Sequence, residues 1–285
     1  MPDDPSAVRP KNFDPRIPCI KDQVSPQEWA TRVDLAACYR LIDLYGMSDL
    51  IANHVSARVP GEPGHFLINP YGLLYDEMTA SSLLKIDLDG NVIAQPPFDY
   101  GVNRAGFVIH SAIHRARHDV DCVIHTHTAA GMAVSALECG LLPLNQTAMR
   151  FAHAAYHDYE GVVLDLSEQD RLVADLGDHD LLILRNHGLL VVGATIPQAF
   201  NHIHRAELAC KTQVMAMACG AGLVTPPQTV IEATFKPTSP TRAALSGCWT
   251  GRRCCASWTG WTPPTAPRAG LADVGADTGP RWLLS

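Results

Sequence analysis

The segment Asp121–His127, which reads DCVIHTH, is a β-branched run that predicts a strand ending in two histidines. In a strand, positions i and i+2 project from the same face, so His125 and His127 lie side by side while Thr126 points the opposite way. Two neighbouring imidazoles can chelate one divalent ion. A single His-x-His pair is a weak signal, however, and the alternative is a pair that only packs.

A third ligand is needed for a metal site, and the turn Arg185–Gly188 can supply it through His187. Three neutral imidazoles suit zinc, iron, nickel or copper. His110 and His114, one helical turn apart, can form a second pair. Five further histidines are predicted at the surface or in supporting positions: His118, His153, His157, His202 and His204.

The rest of the sheet is predicted around this strand. Apolar alternation and turn residues predict strands over 50–59, 65–69, 84–88, 92–94, 181–184 and 189–192, and Asp89-Gly90-Asn91 predicts a hairpin. Helical spacing predicts helices over 26–45, 104–117, 128–137, 169–176 and 197–218, the first capped by Ser25. Hairpin-joined strands with long helices around them predict an α/β domain whose sheet is largely antiparallel.

The composition and charge of the chain limit which classes of protein and which partners are plausible. The 285-residue chain has a net charge of −7, which argues against a nucleic-acid binder. No apolar run approaches the roughly 20 residues of a membrane-spanning helix. The acidic, Pro-rich start does not resemble a signal or transit peptide, and the scattered cysteines suit free thiols, so we expect a cytoplasmic protein.

Three segments are predicted along the chain. Residues 1–24 are irregular, 25–235 form the domain, and 236–285 are an atypical, disordered tail. The tail holds six basic and two acidic residues, four of the five tryptophans and none of the thirteen histidines. Either a frame change in a GC-rich gene or a native extension accounts for it, and we do not expect it to carry the function.

Four stretches together resemble the class II aldolase/adducin family: residues 68–75, 106–114, 123–128 and 184–188. The similarity extends over roughly residues 25 to 220. It implies a three-layer α/β/α domain with a central, mainly antiparallel sheet, assembled as a homotetramer with sites at subunit boundaries. It also implies that His125, His127 and His187 bind a divalent cation, usually zinc, with iron as the alternative.

The resemblance implies further site residues. Tyr156 matches a tyrosine that donates a proton in the aldolases, with Tyr159 as its rival, and a packing role is the alternative for either. Asn53, Ser56 and Arg58 match a loop that binds the substrate anion, where an arginine can pair with a carboxylate or phosphate. Arg58 can also be an ordinary surface residue.

Two departures from the aldolases bear on the reaction. Gly106 stands where they carry an acid/base glutamate, four residues before His110. Tyr71 and Gly72 stand where they bind phosphate with Ser-Gly. Both changes resemble the adducin branch. The sequence therefore predicts a metal-dependent carbon–carbon lyase, of aldolase or decarboxylase type, acting on a small carbonyl acid. The alternatives are a non-haem iron oxygenase of aromatic 2-oxo or 2-hydroxy acids and a non-catalytic assembly module.

Overall fold

The fold is built on one eight-stranded sheet, seen in a computed structural model that describes residues 17–97, 100–161 and 168–235. The strand order is β4-β3-β2-β1-β5-β8-β7-β6, and every neighbouring pair is antiparallel except β6 and β7. The strands are β1 (His54–Val59), β2 (Glu62–Ile68), β3 (Leu84–Asp87), β4 (Val92–Ala94), β5 (Cys122–Thr126), β6 (Ala155–His157), β7 (Leu181–Leu184) and β8 (Gly188–Gly193).

Helices cover both faces of this sheet. One face is covered by α1 (Pro26–Leu44), α3 (Ala129–Ser135) and α5 (Ile196–Ala218), and the other by α2 (Arg104–Ala116) and α4 (Gln169–Leu176). A last helix, α6 (Gln228–Phe235), packs against a 3-10 turn at Ala148–Phe151. The predicted α/β class, with three layers and a mainly antiparallel sheet, is confirmed.

The two faces of β5 show how alternation builds this arrangement. Ile124 packs into the apolar layer beneath α1 and α5, whereas Val123 packs into the layer beneath α2 and α4. His125 follows the parity of Val123 and pairs across the sheet with His54 on β1. His125, His54 and Ser56 therefore lie on the α2 side of the sheet, whereas Thr126 has the parity of Ile124 and faces the other way.

Local signals explain the main boundaries. The Ser25 hydroxyl accepts a hydrogen bond from the Glu28 amide at 3.1 Å, so α1 begins as its capping box predicts. The predicted strand over 50–59 is too long, because Leu50 has a φ of +46° and β1 begins only at His54. The sequence did not predict β6, which has three residues and pairs in parallel at the sheet edge, or α6.

The ends of the chain are only partly described. Ile17 and the 3-10 turn at Lys21–Gln23 belong to the predicted irregular segment, and Ile17 is buried in the core. Residues 1–16 and the predicted tail at 236–285 lie outside the described residues. In the parts that the structure describes, no helix is both long and apolar enough to cross a membrane, and the six cysteines are free thiols.

Candidate metal centre

Three histidines converge where the central strand β5 ends and its neighbour β8 begins, as the sequence predicts. The Nε2 atom of His127 lies 2.7 Å from Nε2 of His125 and 3.0 Å from Nε2 of His187. Their ring centroids are 4.5–4.8 Å apart. His125 is fully buried, whereas the other two are partly exposed, so a solute can approach from one side. We call these three residues the metal cluster.

The turn between β7 and β8 positions His187. Asn186 carries the left-handed conformation, with a φ of +54°. Gly188 is required for a different reason, because a Cβ atom there would lie 2.4 Å from the carbonyl oxygen of Thr126. A glycine thus lets the start of β8 approach the end of β5, which brings His187 to the pair on β5. The predicted turn over Arg185–Gly188 is thus present, with its left-handed residue at Asn186.

The tautomers of the cluster suit a cation. Nδ1 of His125 lies 2.9 Å from the carbonyl oxygen of Leu189, so the ring's hydrogen is placed on Nδ1 and Nε2 keeps a lone pair. That lone pair lies 2.7 Å from Nε2 of His127, which in turn lies 3.0 Å from Nε2 of His187. In a tetrahedral zinc site, Zn–N bonds of about 2.1 Å hold nitrogens about 3.4 Å apart. Small ring rotations would open that space, so the three residues fit a divalent ion.

The surroundings keep all three rings neutral. Burial lowers the pKa of His125 well below its usual range, and the rings of His54, His127 and His187 act in the same direction. Burial, with the neighbouring His127, lowers the pKa of His187 to about 4. Burial also lowers the pKa of His127, against the opposing effect of Asp49. Metal binding requires neutral imidazole, and this is the form that the site favours.

Two residues before β1 hold His127 in place. The Asn53 side chain accepts a hydrogen bond from the His127 amide at 3.0 Å and donates one to the Met47 carbonyl at 2.9 Å. A carboxylate oxygen of Asp49 lies 3.4 Å from His127 Nδ1, on the side of the ring opposite the cluster. The sequence singled out Asn53 as a substrate ligand, and here it supports the backbone of a cluster histidine. Asp49 was missed.

Ser56 and Arg58 lie away from the cluster, inside the domain. Ser56 is fully buried and bonds to the rings of His110 and His114. The Arg58 guanidinium donates to backbone carbonyls, among them those of Pro63 and His114 at 2.8 Å. Both side chains are occupied by internal partners, so this arrangement does not support the prediction that they bind a substrate anion.

The two candidate tyrosines lie on different sides of the sheet. Tyr156 packs into the layer beneath α1 and α5, and its hydroxyl accepts a hydrogen bond from the Leu141 amide at 3.0 Å. Tyr159 is half exposed, with its ring centroid 6.0 Å from that of His187. Within one chain the structure therefore brings Tyr159, and not Tyr156, to the metal cluster. Proton donation by Tyr156 stays a prediction.

The turn at Tyr71 and Gly72 packs against an aromatic ring. Tyr71 is half exposed, and its amide donates to the Gly101 carbonyl at 3.1 Å. A Cβ atom at Gly72 would lie 2.2 Å from the Tyr100 ring, which explains the glycine without a ligand. Substrate binding by these two residues also stays a prediction.

A second group of histidines lies beside the metal cluster and was largely missed. His54 was not singled out, yet its ring centroid is 4.9 Å from that of His125. The predicted pairing of His110 and His114 is indirect, since the Ser56 hydroxyl bridges them. His157 and His202 are buried rather than at the surface. His157 lies between the carboxylates of Glu168 and Asp175, at 3.1 and 2.7 Å.

Comparison with known proteins gives this architecture a family. Residues 33–214 match the family described as "Class II Aldolase and Adducin N-terminal domain", which is more than half of the chain. The chain belongs to this family. Its three converging histidines and most of its sheet thus lie within a class II aldolase/adducin domain.

Members of both branches are similar to the chain. Rat (Rattus norvegicus) alpha-adducin is 50% identical over 192 residues, which are 67% of this chain and 26% of that protein. The crystal structure of an aldolase II superfamily protein from Pseudomonas syringae has 49% identity and a TM-score of 0.77, covering 84% of this chain and 98% of that one. L-fuculose 1-phosphate aldolase from Glaciozyma antarctica has 27% identity and a TM-score of 0.73, covering 88% and 95%.

Proposed function

We propose that this class II aldolase/adducin domain is a metal-dependent carbon–carbon lyase, of aldolase or decarboxylase type, acting on a small carbonyl acid. The convergence of the three Nε2 atoms of the metal cluster is the observation that carries the proposal. Zinc is the proposed ion, and iron is the alternative. The similarity to a fuculose phosphate aldolase supports lyase chemistry on this scaffold.

Each cluster residue has a defined task in this proposal. His125, His127 and His187 offer neutral nitrogens, and the Leu189 carbonyl keeps the first of these rings in the required tautomer. A bound divalent cation would supply Lewis-acid polarisation of a substrate oxygen. Tyr159 lies at the exposed side of the cluster, so its hydroxyl is the tyrosine group best placed to donate a proton there.

Two other functions remain candidates because each has an observation in its favour. Identity of 50% with alpha-adducin over this domain favours a non-catalytic assembly module. A cluster of three histidines open on one side also suits a non-haem iron oxygenase of aromatic 2-oxo or 2-hydroxy acids.

Metal analysis separates the three functions. The protein is purified without a metal-affinity step, and its metal content is measured beside that of a His127→Ala variant. Zinc at one ion per chain that is lost in the variant supports the lyase, and iron with oxygen uptake supports the oxygenase. A wild-type protein that binds neither ion, even after reconstitution, contradicts both enzymes and leaves the assembly module.

Assembly and partners follow from the same proposal. We propose a cytoplasmic homotetramer that binds a small-molecule substrate and neither nucleic acid nor membranes. The net charge of −7 and the family resemblance support this. Light scattering of the full chain would measure the mass, and a monomer of 30.9 kDa at micromolar concentration would contradict the proposed assembly.

A further inference from the structure

Two arginines lie near each other where α5 meets the 3-10 turn at Ala148–Phe151. Arg150 belongs to this turn, and Arg205 lies in the middle of α5, which packs against the turn. Both side chains are partly buried. Burial, with the nearby charge of Arg205, lowers the pKa of the Arg150 guanidinium. The two positive charges are therefore close enough to repel each other.

A side-chain hydrogen bond fixes how this turn sits on α5. Asn145 donates from Nδ2 to the Thr212 hydroxyl at 2.9 Å, and its carbonyl accepts a hydrogen bond from the Met149 amide at the start of the turn. Thr212 follows Arg205 by about two helical turns, so both project from one face of α5. The turn that carries Arg150 is thus anchored to the face of α5 that carries Arg205.

Asn201 adds a third donor to the same face. It lies one helical turn before Arg205, so the two side chains are neighbours. Asn201 is only 4% exposed, yet its Nδ2 has no hydrogen-bond partner, and Nε of Arg205 is buried in the same state. Burying a donor without a partner costs free energy, so a partner from outside the chain is expected. We call Arg150, Arg205 and Asn201 the donor cluster.

Neighbouring carboxylates do not neutralise the donor cluster. Within the residues that the structure describes, neither of its arginines has an ion pair or a hydrogen bond. Glu207 on α5 is buried, but it accepts a hydrogen bond from the Thr128 hydroxyl and pairs with Lys211 at 3.2 Å. Glu232 on α6 pairs with His153 at 3.2 Å. The net positive charge of the cluster therefore favours a negatively charged ligand.

The chemistry of the unpaired groups narrows the class of ligand. A guanidinium has only N–H donors, and the unpaired atom of the amide is also a donor. The matching ligand thus carries negative charge and several acceptor oxygens. Phosphate directs its oxygens tetrahedrally, so donors from α5 and from the turn can bind it together, whereas a carboxylate offers two oxygens in one plane.

We propose that the donor cluster binds a small oxyanion of the phosphate type between α5 and the turn at Ala148–Phe151. This site is separate from the metal cluster, because α5 covers the face of the sheet opposite to the one that carries His125. The inference goes beyond the proposed function and does not depend on it.

Binding is measured by calorimetry with inorganic phosphate and the metal-free full chain at low ionic strength. We expect one phosphate per chain, bound at least about 10-fold more weakly by Arg150→Ala and by Arg205→Ala, since each loses charge-assisted hydrogen bonds. Arg115→Ala is the control, because this exposed arginine already bonds to Leu88 and Asp89. A wild type that does not bind phosphate, or equal affinities in all four proteins, would overturn the proposal.

An isosteric variant supplies the missing negative charge from within the chain. Asn201→Asp places a carboxylate one helical turn from Arg205, where it can pair with the guanidinium. Without phosphate, this variant should unfold at a higher temperature than the wild type, and its phosphate affinity should fall at least about 10-fold. An Asn201→Asp variant that is no more stable and binds phosphate as the wild type does would contradict the proposal.

Thermal unfolding also separates a binding site from two arginines that only pack. Arg150→Met keeps a long side chain but removes one of the repelling charges, so without phosphate it should unfold at the wild-type temperature or above. Phosphate should stabilise the wild type more than this variant, since a ligand stabilises only the protein that binds it. Chloride at equal ionic strength corrects for screening. Equal stabilisation of the two proteins by phosphate would overturn the proposal.

Light scattering identifies the other source of acceptor oxygens, an acidic side chain of a second copy of the chain. We expect Arg205→Ala to have the same mass in solution as the wild type, with and without phosphate. A lower mass for this variant, together with a wild type that does not bind phosphate, would assign the donor cluster to an interface between copies and overturn the proposal. Either result leaves the proposed lyase untouched, because the metal cluster lies on the other face of the sheet.

Discussion

The metal cluster lies beside a second set of histidines, the buried hydrogen-bonded line His54–His110–Ser56–His114, which we call the histidine chain. Both sets lie on the same face of one sheet, but their nitrogens are arranged differently. In the cluster, three Nε2 atoms point toward one another where β5 ends and β8 begins, on the partly exposed side of the domain. In the chain, successive nitrogens are paired in series through Ser56, in the interior. The strand register sets the two groups side by side, because His54 of the histidine chain is directly opposed to His125 of the cluster across β1 and β5.

The two arrangements should contribute differently to metal binding and to the stability of the fold. Three converging Nε2 atoms cannot all be paired with one another, so we expect the cluster to contribute little to the fold without metal. Nitrogens paired in series satisfy each other, and removing one partner leaves a buried polar group without a hydrogen bond. The cluster should therefore respond to mutation through metal affinity, and the chain through the free energy of unfolding.

The largest expected effect is loss of metal from the cluster. His127→Ala should weaken zinc affinity more than 100-fold, because loss of a ligand exceeds the roughly 10- to 100-fold cost of losing a supporting contact. Competition with a fluorescent chelator measures this. The apoprotein should unfold at nearly the wild-type urea concentration, since His127 is partly exposed. Full zinc occupancy in the variant would refute the assignment, and adding His187→Ala should change little.

Breaking the histidine chain should lower the free energy of unfolding and leave zinc affinity nearly unchanged, the reverse of what is expected for His127→Ala. Ser56→Ala leaves Nδ1 of His110 and Nε2 of His114 without their shared partner, at a cost of about 3 kcal/mol in the free energy of unfolding. Zinc affinity should stay within about twofold of the wild type. Urea denaturation checks the first expectation, with Ser111→Ala as the matched buried serine. A Ser56→Ala variant as stable as the wild type would mean that the chain does not support the fold.

Gly106 packs against His54, the first ring of the histidine chain. Gly106→Ala should destabilise the fold by about 2 kcal/mol, because its Cβ would lie 2.7 Å from the His54 ring. Gly64→Ala is the control, since a Cβ there meets no atom within 4 Å. Equal unfolding midpoints for the two variants would show that His54 moves aside easily.

Restoring a carboxylate at this position should not create an aldolase. Gly106→Glu must displace His54, and Tyr71 still replaces the serine whose hydroxyl the resemblance assigns to phosphate binding in the aldolases. We therefore expect no aldehyde release from L-fuculose 1-phosphate by the zinc-loaded wild type or by this variant. Turnover near the median enzyme rate of about 10 per second would contradict this expectation.

The sequence anticipated the metal cluster better than its surroundings. Strand alternation placed His125 and His127 on one face, and the turn between two predicted strands placed His187, so their convergence could be predicted from local rules alone. His54 could not be placed in this way, because its contact with His125 depends on pairing between residues 71 positions apart in the chain. The face on which Tyr156 lies could not be predicted for a similar reason, since the short parallel β6 that carries it gave no local signal.

The pH dependence of stability offers a smaller test. Because the folded-state pKa of His114 is lowered to about 3, the unfolded chain takes up its proton first as the pH falls below about 6.5. This ring should contribute full stability above pH 6.5 and lose about 1.4 kcal/mol by pH 5.5. Urea titrations measure the drop in the free energy of unfolding between pH 7.5 and 5.5. This drop should be smaller in His114→Asn than in the wild type, by about 1.4 kcal/mol. An equal drop in both proteins would mean that His114 does not titrate on unfolding.

The smallest expected effect concerns Asp49, which touches only the outer side of the cluster. Its carboxylate lies 3.4 Å from Nδ1 of His127 and is about half exposed, so solvent weakens its hold on the ring. Asp49→Asn keeps an acceptor oxygen but removes the charge. It should weaken zinc affinity by less than about 10-fold, because loss of a contact that supports a metal ligand costs roughly 10- to 100-fold and this one is half exposed. Chelator competition at low and high salt measures the effect, which should shrink at high salt because the lost interaction is electrostatic. Asp89→Asn, at the exposed β3–β4 turn, is the control and should change nothing. A loss as large as that of His127→Ala would show that Asp49 binds the ion directly, and the metal cluster would then have four members.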